Sequence, residues 1–582
     1  MISVKIARSG GMKILDPLAV CYEEVQASLK QVLQDLGYDI EIILETPPGD
    51  LGDIAFSCFS LAKVAKKAPQ EVAKEIAEKI TLRVNIEKFE QKGPYINFFI
   101  DTKKMASMTI KAALELGDDY GNSPAEKRKI ILEHTSANPT DKLHIGRARN
   151  PIIGDTLARI LRKAGFNVET QYYVDDMGKQ AVTLAYGIEI WESRPKDDDS
   201  LGPYQYASKM ISENSEMEAV RDEWIKKLER GESEITKKVR EACAKVMGED
   251  ITSSLARMNV AVDNYVYESQ FVLDGSVDNV ISVLKENEES DMEDGAYFVN
   301  LEPFIGSEGK FFFQRKDGTS LYATRDIAYH LWKYEHCDDV INILGEDHKL
   351  ESKYVAVGLR IMDLEKAPEV IFYSFVSLPE GRMSTRKGRV VFLDDLISEA
   401  EELAFKEVEK RRSDLDEDKM RDIANKVAIG AIRYNIVRVQ PEKKMVFKWE
   451  EALNFEGNSA PFIQYSHARA SSILRKAKEA GIEGYEDYNP SLLEHPSEIS
   501  LIKEIAKFPG AIKECAERRS PHLMAAYAYA FASMFNQFYR DCPVIACEDD
   551  ALRKTRLALV ETGKIVLGNA LFCLGIEAPD EM

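Results

Sequence analysis

Apolar residues recur at helical spacing through Val25, Leu29, Val32, Leu33 and Leu36, which predicts an amphipathic helix near the start of the chain. A second helix is expected over roughly 62–80. A Gly93-Pro94 turn signal then introduces a β-rich run ending at Ile100. These elements make a small α+β domain over 1–122, closed by a polar linker at 121–128. A new strand follows at 129–133, then a loop, a helix over 150–164 and an apolar strand near 168–174. That succession is the start of a βαβ unit. Residues 186–300 are far more polar and rich in helix formers, so they read as an insertion. Strand-like runs return at 311–314, 340–344 and 370–375 with helical stretches between them, and the parallel sheet is expected to resume there. Beyond residue 394 the pattern is almost wholly helical, with helices near 459–480, 522–540 and 550–574. The fold class that results is α/β. A split Rossmann-type parallel sheet spans 123–378, preceded by the α+β domain and followed by a helical region over 379–455 and an all-α bundle over 456–582.

Composition narrows this picture in three ways. With 582 residues, 45% of them hydrophobic, the chain can bury several cores, which excludes a disordered polypeptide. No apolar run approaches membrane-spanning length and no leader pattern opens the chain, so a cytoplasmic protein with no membrane partner is expected. The cysteines at 21, 58, 243, 337, 515, 542, 547 and 573 form no C-x-x-C pair, so neither disulfides nor a zinc ribbon is expected. The net charge of −21 speaks against a uniformly basic nucleic-acid surface. Local basic clusters nonetheless stand at 382–389, 469–478 and 553–556, although each alone reads equally as solvated surface.

The chemistry concentrates between the strand at 129–133 and the helix at 150–164, in Glu133-His-Thr-Ser-Ala-Asn138-Pro-Thr-Asp-Lys142-Leu-His144-Ile-Gly146-Arg147. A strand-to-helix turn suits a nucleotide phosphate, because helix N-termini present unpaired N–H groups. There His144 can donate to a phosphoryl oxygen and Gly146 permits close approach. Taken alone, His-Ile-Gly could equally be a capping loop. A second segment changes the weighing: Arg382-Met383-Ser384-Thr385-Arg386-Lys387-Gly388 follows the last strand of the resumed sheet. The pair resembles the HIGH and KMSKS signatures of class I aminoacyl-tRNA synthetases. Further segments resemble the arginyl-tRNA synthetase family: Glu133-x-x-Ser136-x-Asn138-Pro, Tyr173-Val-Asp175-Asp176-Met-Gly178-Lys-Gln180, Tyr322-Ala-Thr-Arg-Asp326 and Gly345-Glu-Asp347-His348. Near the C-terminus Gln464-Tyr465-Ser-His467-Ala-Arg469 and Asp550-Ala-Leu-Arg553 are similar to that family's helical anticodon-binding domain. Gly49-Asp50-Leu-Gly52-Asp53 and Gly93-Pro94-Tyr95-Ile-Asn97 are similar to its added N-terminal tRNA-binding domain.

The resemblance implies an arginine–tRNA ligase that uses ATP with Mg²⁺ and no zinc, acts on tRNA(Arg), and works as a monomer. It assigns Glu133, Ser136, Asn138, Tyr322, Asp326 and His348 to arginine, with carboxylates meeting the planar fork of the guanidinium. ATP falls to His144, Gly146, Arg147, Met383 and Ser384. His144, Lys142, Arg382, Ser384, Arg386 and Lys387 would stabilise the transferring phosphoryl group. tRNA contacts fall to Tyr95, Asn97, Gln464, Tyr465, Arg469 and Met582, and 379–455 becomes the region of the KMSKS loop and of helices that meet the tRNA stem. Three departures stand out: Arg147 replaces the second His of HIGH, Thr385 replaces the second Lys of KMSK, and Asp175 replaces the usual Asn of Tyr-x-Asn-Asp. Lys142 is the candidate for the basic residue that compensates for the missing lysine, although it lies two positions before His144 where three is usual. A catalytically silent tRNA-binding relative is the main alternative, and a complete arginine pocket argues against it. A cysteine-specific synthetase would need zinc ligands that no Cys/His cluster supplies.

Overall fold

The computed structural model describes residues 5–8, 11–191, 202–377, 392–482 and 484–582. At its centre lies a parallel sheet of β1 (Lys129–Glu133), β2 (Asn167–Val174), β3 (Asn264–Tyr267), β4 (Asp339–Gly345) and β5 (Glu369–Tyr373). The strand order is β5-β4-β1-β2-β3. The chain therefore winds outward one way from β1, returns to the other side of β1 and winds outward again. Between β1 and β4 the winding reverses, and a ligand crevice opens at the carboxyl ends of the strands on such a sheet. β1 reads Lys-Ile-Ile-Leu-Glu with its last four residues buried, as a strand covered on both faces requires.

Two expectations about this sheet need correction. The stretch 186–300 is not all insertion, since Asn264–Tyr267 pairs with Gln171–Val174 as the fifth strand. Conversely, Lys310–Gln314 does not rejoin the parallel sheet; it pairs antiparallel with Ala296–Asn300 in a separate three-stranded sheet. Two Phe side chains at 311 and 313 fill that smaller core, beside the helix Ser276–Glu286.

The N-terminal region is a four-stranded antiparallel sheet backed by the helix Pro17–Asp35. The helix expected over 62–80 is two: Phe59–Ala65 ends at Lys66, which sits at φ 52°, and Pro69 opens Pro69–Ala77. Proline fits the first turn of a helix but cannot continue one, so the break follows from the sequence Lys66-Lys-Ala-Pro69. At the other end, Ala460–Glu479, Pro496–Glu517, Pro521–Asp541 and Asp550–Cys573 form the helical bundle.

Buried arginines tie these parts together. Arg433 is fully buried, pairs with Asp155 at 2.5 Å, and donates to the carbonyls of Leu574 (2.9 Å) and Met258 (2.7 Å). Arg149 donates to the carbonyls of Ser374 and Lys443, each at 2.8 Å, and of Gln440 at 2.9 Å. Only a guanidinium carries enough fixed donors for such a junction. The helix Arg149–Lys163 that bears both Asp155 and Arg149 is thereby locked to the bundle.

Candidate active site

Glu133 ends β1 at the reversal point, and its two carboxylate oxygens are both engaged. Oε2 meets the Lys333 ammonium at 2.5 Å, and Oε1 accepts from the Ser136 hydroxyl at 2.8 Å. Ser136 in turn accepts from the backbone N–H of Tyr173 on β2 at 3.1 Å. Lys333 is fully buried, donates to Asn342 Oδ1 at 3.2 Å and lies 3.9 Å from the centroid of Tyr329. Asp326 and Lys333 share the helix Tyr322–His336, with His330 between them at helical spacing. Asn342 Nδ2 donates to His330 Nε2 at 2.7 Å, which leaves the ring proton on Nδ1. That nitrogen faces Asp326, 2.8 Å from its carbonyl and 3.2 Å from Oδ1. Burial works to raise the Asp326 pKa, but His330, Lys333 and His348 outweigh it and hold the carboxyl below its ordinary range.

The helix begins at Tyr322, so Tyr322 and Asp326 stand one turn apart on one face. The Tyr322 ring is 40% exposed to the cleft, with the Arg325 guanidinium 4.9 Å from its centroid. Seven of the residues singled out from the sequence line this one cleft: Glu133, Ser136, Asn138, Arg147, Tyr322, Asp326 and His348. Asn138 is oriented by a 2.6 Å bond to Gln180, and His348 Nδ1 lies 2.8 Å from Glu351, which raises the imidazole pKa. The sequence reading missed Lys333, His330 and Asn342. A partial signal existed, since Asp326, His330 and Lys333 are spaced to share a helix face.

The turn leaving β1 is bent. Thr135 sits at φ 71° and Ser136 at φ 36°, unusual for residues with a Cβ and costly by about 1–3 kcal/mol each. Asn150 holds the bend by accepting from the Thr135 N–H at 2.7 Å and donating to the Ile343 carbonyl at 2.9 Å. Further on, His144 caps the short helix Ile145–Arg147, its Nδ1 accepting from the Gly146 N–H at 3.0 Å. Desolvation and the neighbouring Arg147 push the His144 pKa down, so the ring is neutral with its proton on Nε2. Lys142 is exposed and does not line the cleft. Arg382, Met383, Ser384, Arg386 and Lys387 lie outside the described residues. Phe392, which resumes the described chain, bridges to His144, and Leu393 N donates to the Leu143 carbonyl at 2.7 Å. Among the described residues no group of three or more His, Cys, Asp or Glu side chains forms a ready cage for a metal ion.

The residues assigned to tRNA divide into surface and core. Tyr95 is 36% exposed, edge-on to the exposed Phe59 at 5.9 Å. Asn97 on the same strand is buried, so in this conformation its amide faces no solvent. Gln464 is likewise fully buried and donates to the carbonyls of Lys426 and Glu577, both at 3.0 Å, which makes it a cross-link inside the bundle. Tyr465 is exposed, and the Arg469 guanidinium lies 4.8 Å from its ring centroid and 4.9 Å from that of Tyr539. Met582, Arg412, Arg469 and Arg540 line one groove with Tyr465. Each cation of the basic run at 553–556 already has a carboxylate partner: Arg553 and Lys554 share Asp550, and Arg556 pairs with Glu498.

Comparison with known proteins places three families along the chain. Residues 109–449 match "tRNA synthetases class I (R), catalytic domain", residues 463–582 match "DALR anticodon binding domain", and residues 23–100 match "Arginyl tRNA synthetase N terminal domain". An arginine–tRNA ligase of Methanocella arvoryzae is 45% identical over 570 residues, covering 96% of this chain and 99% of its own. One from Methanothermobacter thermautotrophicus is 44% identical over 573 residues at the same coverage. Among solved structures, the arginyl-tRNA synthetase of Thermus thermophilus superposes with a TM-score of 0.81 at 27% identity, covering 96% of this chain and 100% of its own.

Proposed function

This chain belongs to the class I arginyl-tRNA synthetases, and on that premise we propose that arginine and ATP meet in the cleft at the carboxyl ends of β1, β2 and β4. Its reaction is that of an arginine–tRNA ligase: L-arginine and ATP give arginyl-adenylate and pyrophosphate, and the arginyl group then passes to the 3′-terminal adenosine of tRNA(Arg) with release of AMP. The observation that carries the placement is the convergence in one cleft of Glu133 with Tyr322 and Asp326, which lie far from it in sequence. The guanidinium lies against Asp326 and the Tyr322 hydroxyl, near Glu133. Asp326 is ionised and aimed by His330, so it accepts from the guanidinium without first losing a proton. Asn138, fixed by Gln180, takes the α-amino group, with Ser136 and His348 on the flanking walls.

Neither chemical step needs a nucleophile from the enzyme. The arginine carboxylate attacks the α-phosphorus in line, and a ribose hydroxyl attacks the acyl carbonyl, so the protein's part is positioning and charge stabilisation. His144 Nε2 carries the ring proton and donates it, as a hydrogen bond, to a phosphoryl oxygen. Gly146 and Arg147 complete that side of the nucleotide site. Mg²⁺ would be held chiefly by the ATP phosphates, since the described residues offer no carboxylate cage, and would supply charge neutralisation there. To the segment with Arg382, Met383, Ser384, Arg386 and Lys387 we assign the same phosphates; Phe392, the first described residue after it, bridges to His144. Lys142, exposed two residues before His144, is the outer basic residue. For tRNA we assign the N-terminal domain through Tyr95, and the groove of Tyr465, Arg469 and Met582 for the anticodon. The enzyme acts as a cytoplasmic monomer.

Charging of total tRNA with labelled arginine tests the activity. Asp326→Asn tests the pocket: one face of a desolvated cation loses its partner, which costs about 2–5 kcal/mol in kcat/KM. Arginine charging by that variant at the parent kcat/KM would remove Asp326 from the site.

A further inference from the structure

The cleft holds a second carboxyl pair that the family pattern does not explain. Asp175 follows β2, where the family's usual residue is Asn, and Glu268 opens the short helix after β3; both line the cleft beside Tyr322. Glu268 is 2% exposed. Its Oε1 lies 2.9 Å from the Arg325 guanidinium and 3.5 Å from the Tyr173 hydroxyl, while its Oε2 has no hydrogen-bond donor among the described residues. Val174 on β2 is the register partner of Tyr267 on β3, so Asp175 and Glu268, the next residue after each, stand side by side at the carboxyl ends of neighbouring strands. Two carboxylates cannot hydrogen-bond, because neither carries a donor; a carboxylic acid and a carboxylate can. One proton between them supplies the donor that Glu268 lacks.

We propose that Asp175 and Glu268 hold one shared proton in the empty arginine pocket, and that the guanidinium of arginine displaces it to solvent on binding. Charge counting leads there. Arg325 is the cation that pairs with Glu268, and no ion pair reaches Asp175 among the described residues, so with one proton the trio is neutral and without it carries a single negative charge that a guanidinium matches. The other ionisable groups around the pair do not supply a second cation in contact. Tyr173 and Tyr322 face it as phenols, and Glu229 adds a further acid in the field of Arg325, Arg315 and Glu268. Arg240 sits instead over Asp176, 3.7 Å away, and Asp176 is satisfied separately by the backbone N–H and hydroxyl of Ser269 at 2.8 and 2.6 Å. Burial and the neighbouring Glu268 push the Asp175 pKa well above its ordinary value. An Asn at this position donates to Glu268 permanently, so a pocket with the usual residue has no proton to lose.

This inference rests on arginine occupying the cleft, which the Asp326→Asn experiment tests by itself. Proton release is read by titrating the full chain with arginine near pH 7 in buffers of different ionisation enthalpy. Binding should release about one proton per arginine, and the arginine Kd should fall by about tenfold per pH unit until the pair ionises unaided. Asp175→Asn should bind arginine with no such release and with an affinity nearly independent of pH in that range. Glu268→Gln, which also removes the like charge, should abolish release in the same way. Arginine binding without proton release by the parent chain, or release unchanged in both variants, would overturn the proposal.

Discussion

Gln464 directs its amide inward, donating to the carbonyls of Lys426 and Glu577 from a fully buried position. Its neighbour Tyr465 faces outward beneath the Arg469 guanidinium. The two residues of one motif therefore fail in different ways. Gln464→Ala leaves two buried carbonyls unpaired and should lower stability by about 1–3 kcal/mol, seen as a fall in Tm, with the KM for tRNA unchanged at a permissive temperature. Tyr465→Ala should leave Tm in place and raise the KM for tRNA, since a base stacked on an aromatic ring contributes roughly 1–3 kcal/mol. The reverse assignment of the two phenotypes would place Gln464 at the interface. In the sequence these positions were indistinguishable by motif, yet helical spacing separates them: Gln464 shares a stripe with Ala460, His467 and Ser471, all buried. Resemblance marked the residues that carry chemistry, and Glu133, Tyr322 and Asp326 do meet in one cleft. The partners of those residues were not legible. Nothing in the sequence says that Lys333 reaches Glu133 or that Glu268 approaches Asp175, because the first contact depends on how a distant helix packs on β1 and the second on how β2 and β3 lie side by side.

Elements with strong periodicity were legible nearly to the residue, as with the strand Lys129–Glu133 and the helix Ala460–Glu479. Elements decided by distant pairing were not. Asn264–Tyr267 is four residues long within a largely helical stretch, so only its alignment beside β2 makes it a strand of the main sheet. Lys310–Gln314 has the apolar content of a central strand, yet its partner is the antiparallel Ala296–Asn300. The break at Lys66 is of another kind, since its cause is local. Lys66 is exposed, adopts φ 52° to end the helix Phe59–Ala65, and its N–H bonds to the Ala62 carbonyl. Glycine takes that conformation without the clash a Cβ introduces. Lys66→Gly should therefore raise stability by about 0.5–1 kcal/mol, measured by denaturant unfolding of the full chain. A loss of stability would mean that the unfolded-state entropy of glycine outweighs the relief at this site.

At the scale of the whole molecule, the question is where the N-terminal domain ends mechanically. The sequence reading carries it to 122, but the helix Thr102–Leu116 packs its Met105, Ala106, Ile110 and Ala113 into the same core as the C-terminal helices. Tyr120 is 0% exposed, donates from its hydroxyl to the Ile505 carbonyl at 3.0 Å and stacks on Phe508 at 6.1 Å. Gly117 and Asp118 accept through their carbonyls from Asn569 at 3.0 Å and Lys163 at 2.8 Å, which joins this stretch to both the last helix and the central sheet's helix. The four-stranded sheet meets the bundle through the ion pair of Asp53 with Lys503 at 2.5 Å. A chain beginning at Asp101 keeps the carboxylate that caps Thr102–Leu116 through the N–H groups of Lys103 and Lys104. It should melt near the parent temperature and keep its KM values for ATP and arginine, while losing affinity for tRNA along with Tyr95. A chain beginning at residue 123 removes the helix and Tyr120 as well, uncovering apolar surface on Phe508 and Ile512. Deleting one large buried aromatic costs about 3–5 kcal/mol, so this shorter chain should be destabilised and lose affinity for all three substrates together. If both chains melt alike and both lose only tRNA, the helix belongs to the removable domain and the bundle is stable without it.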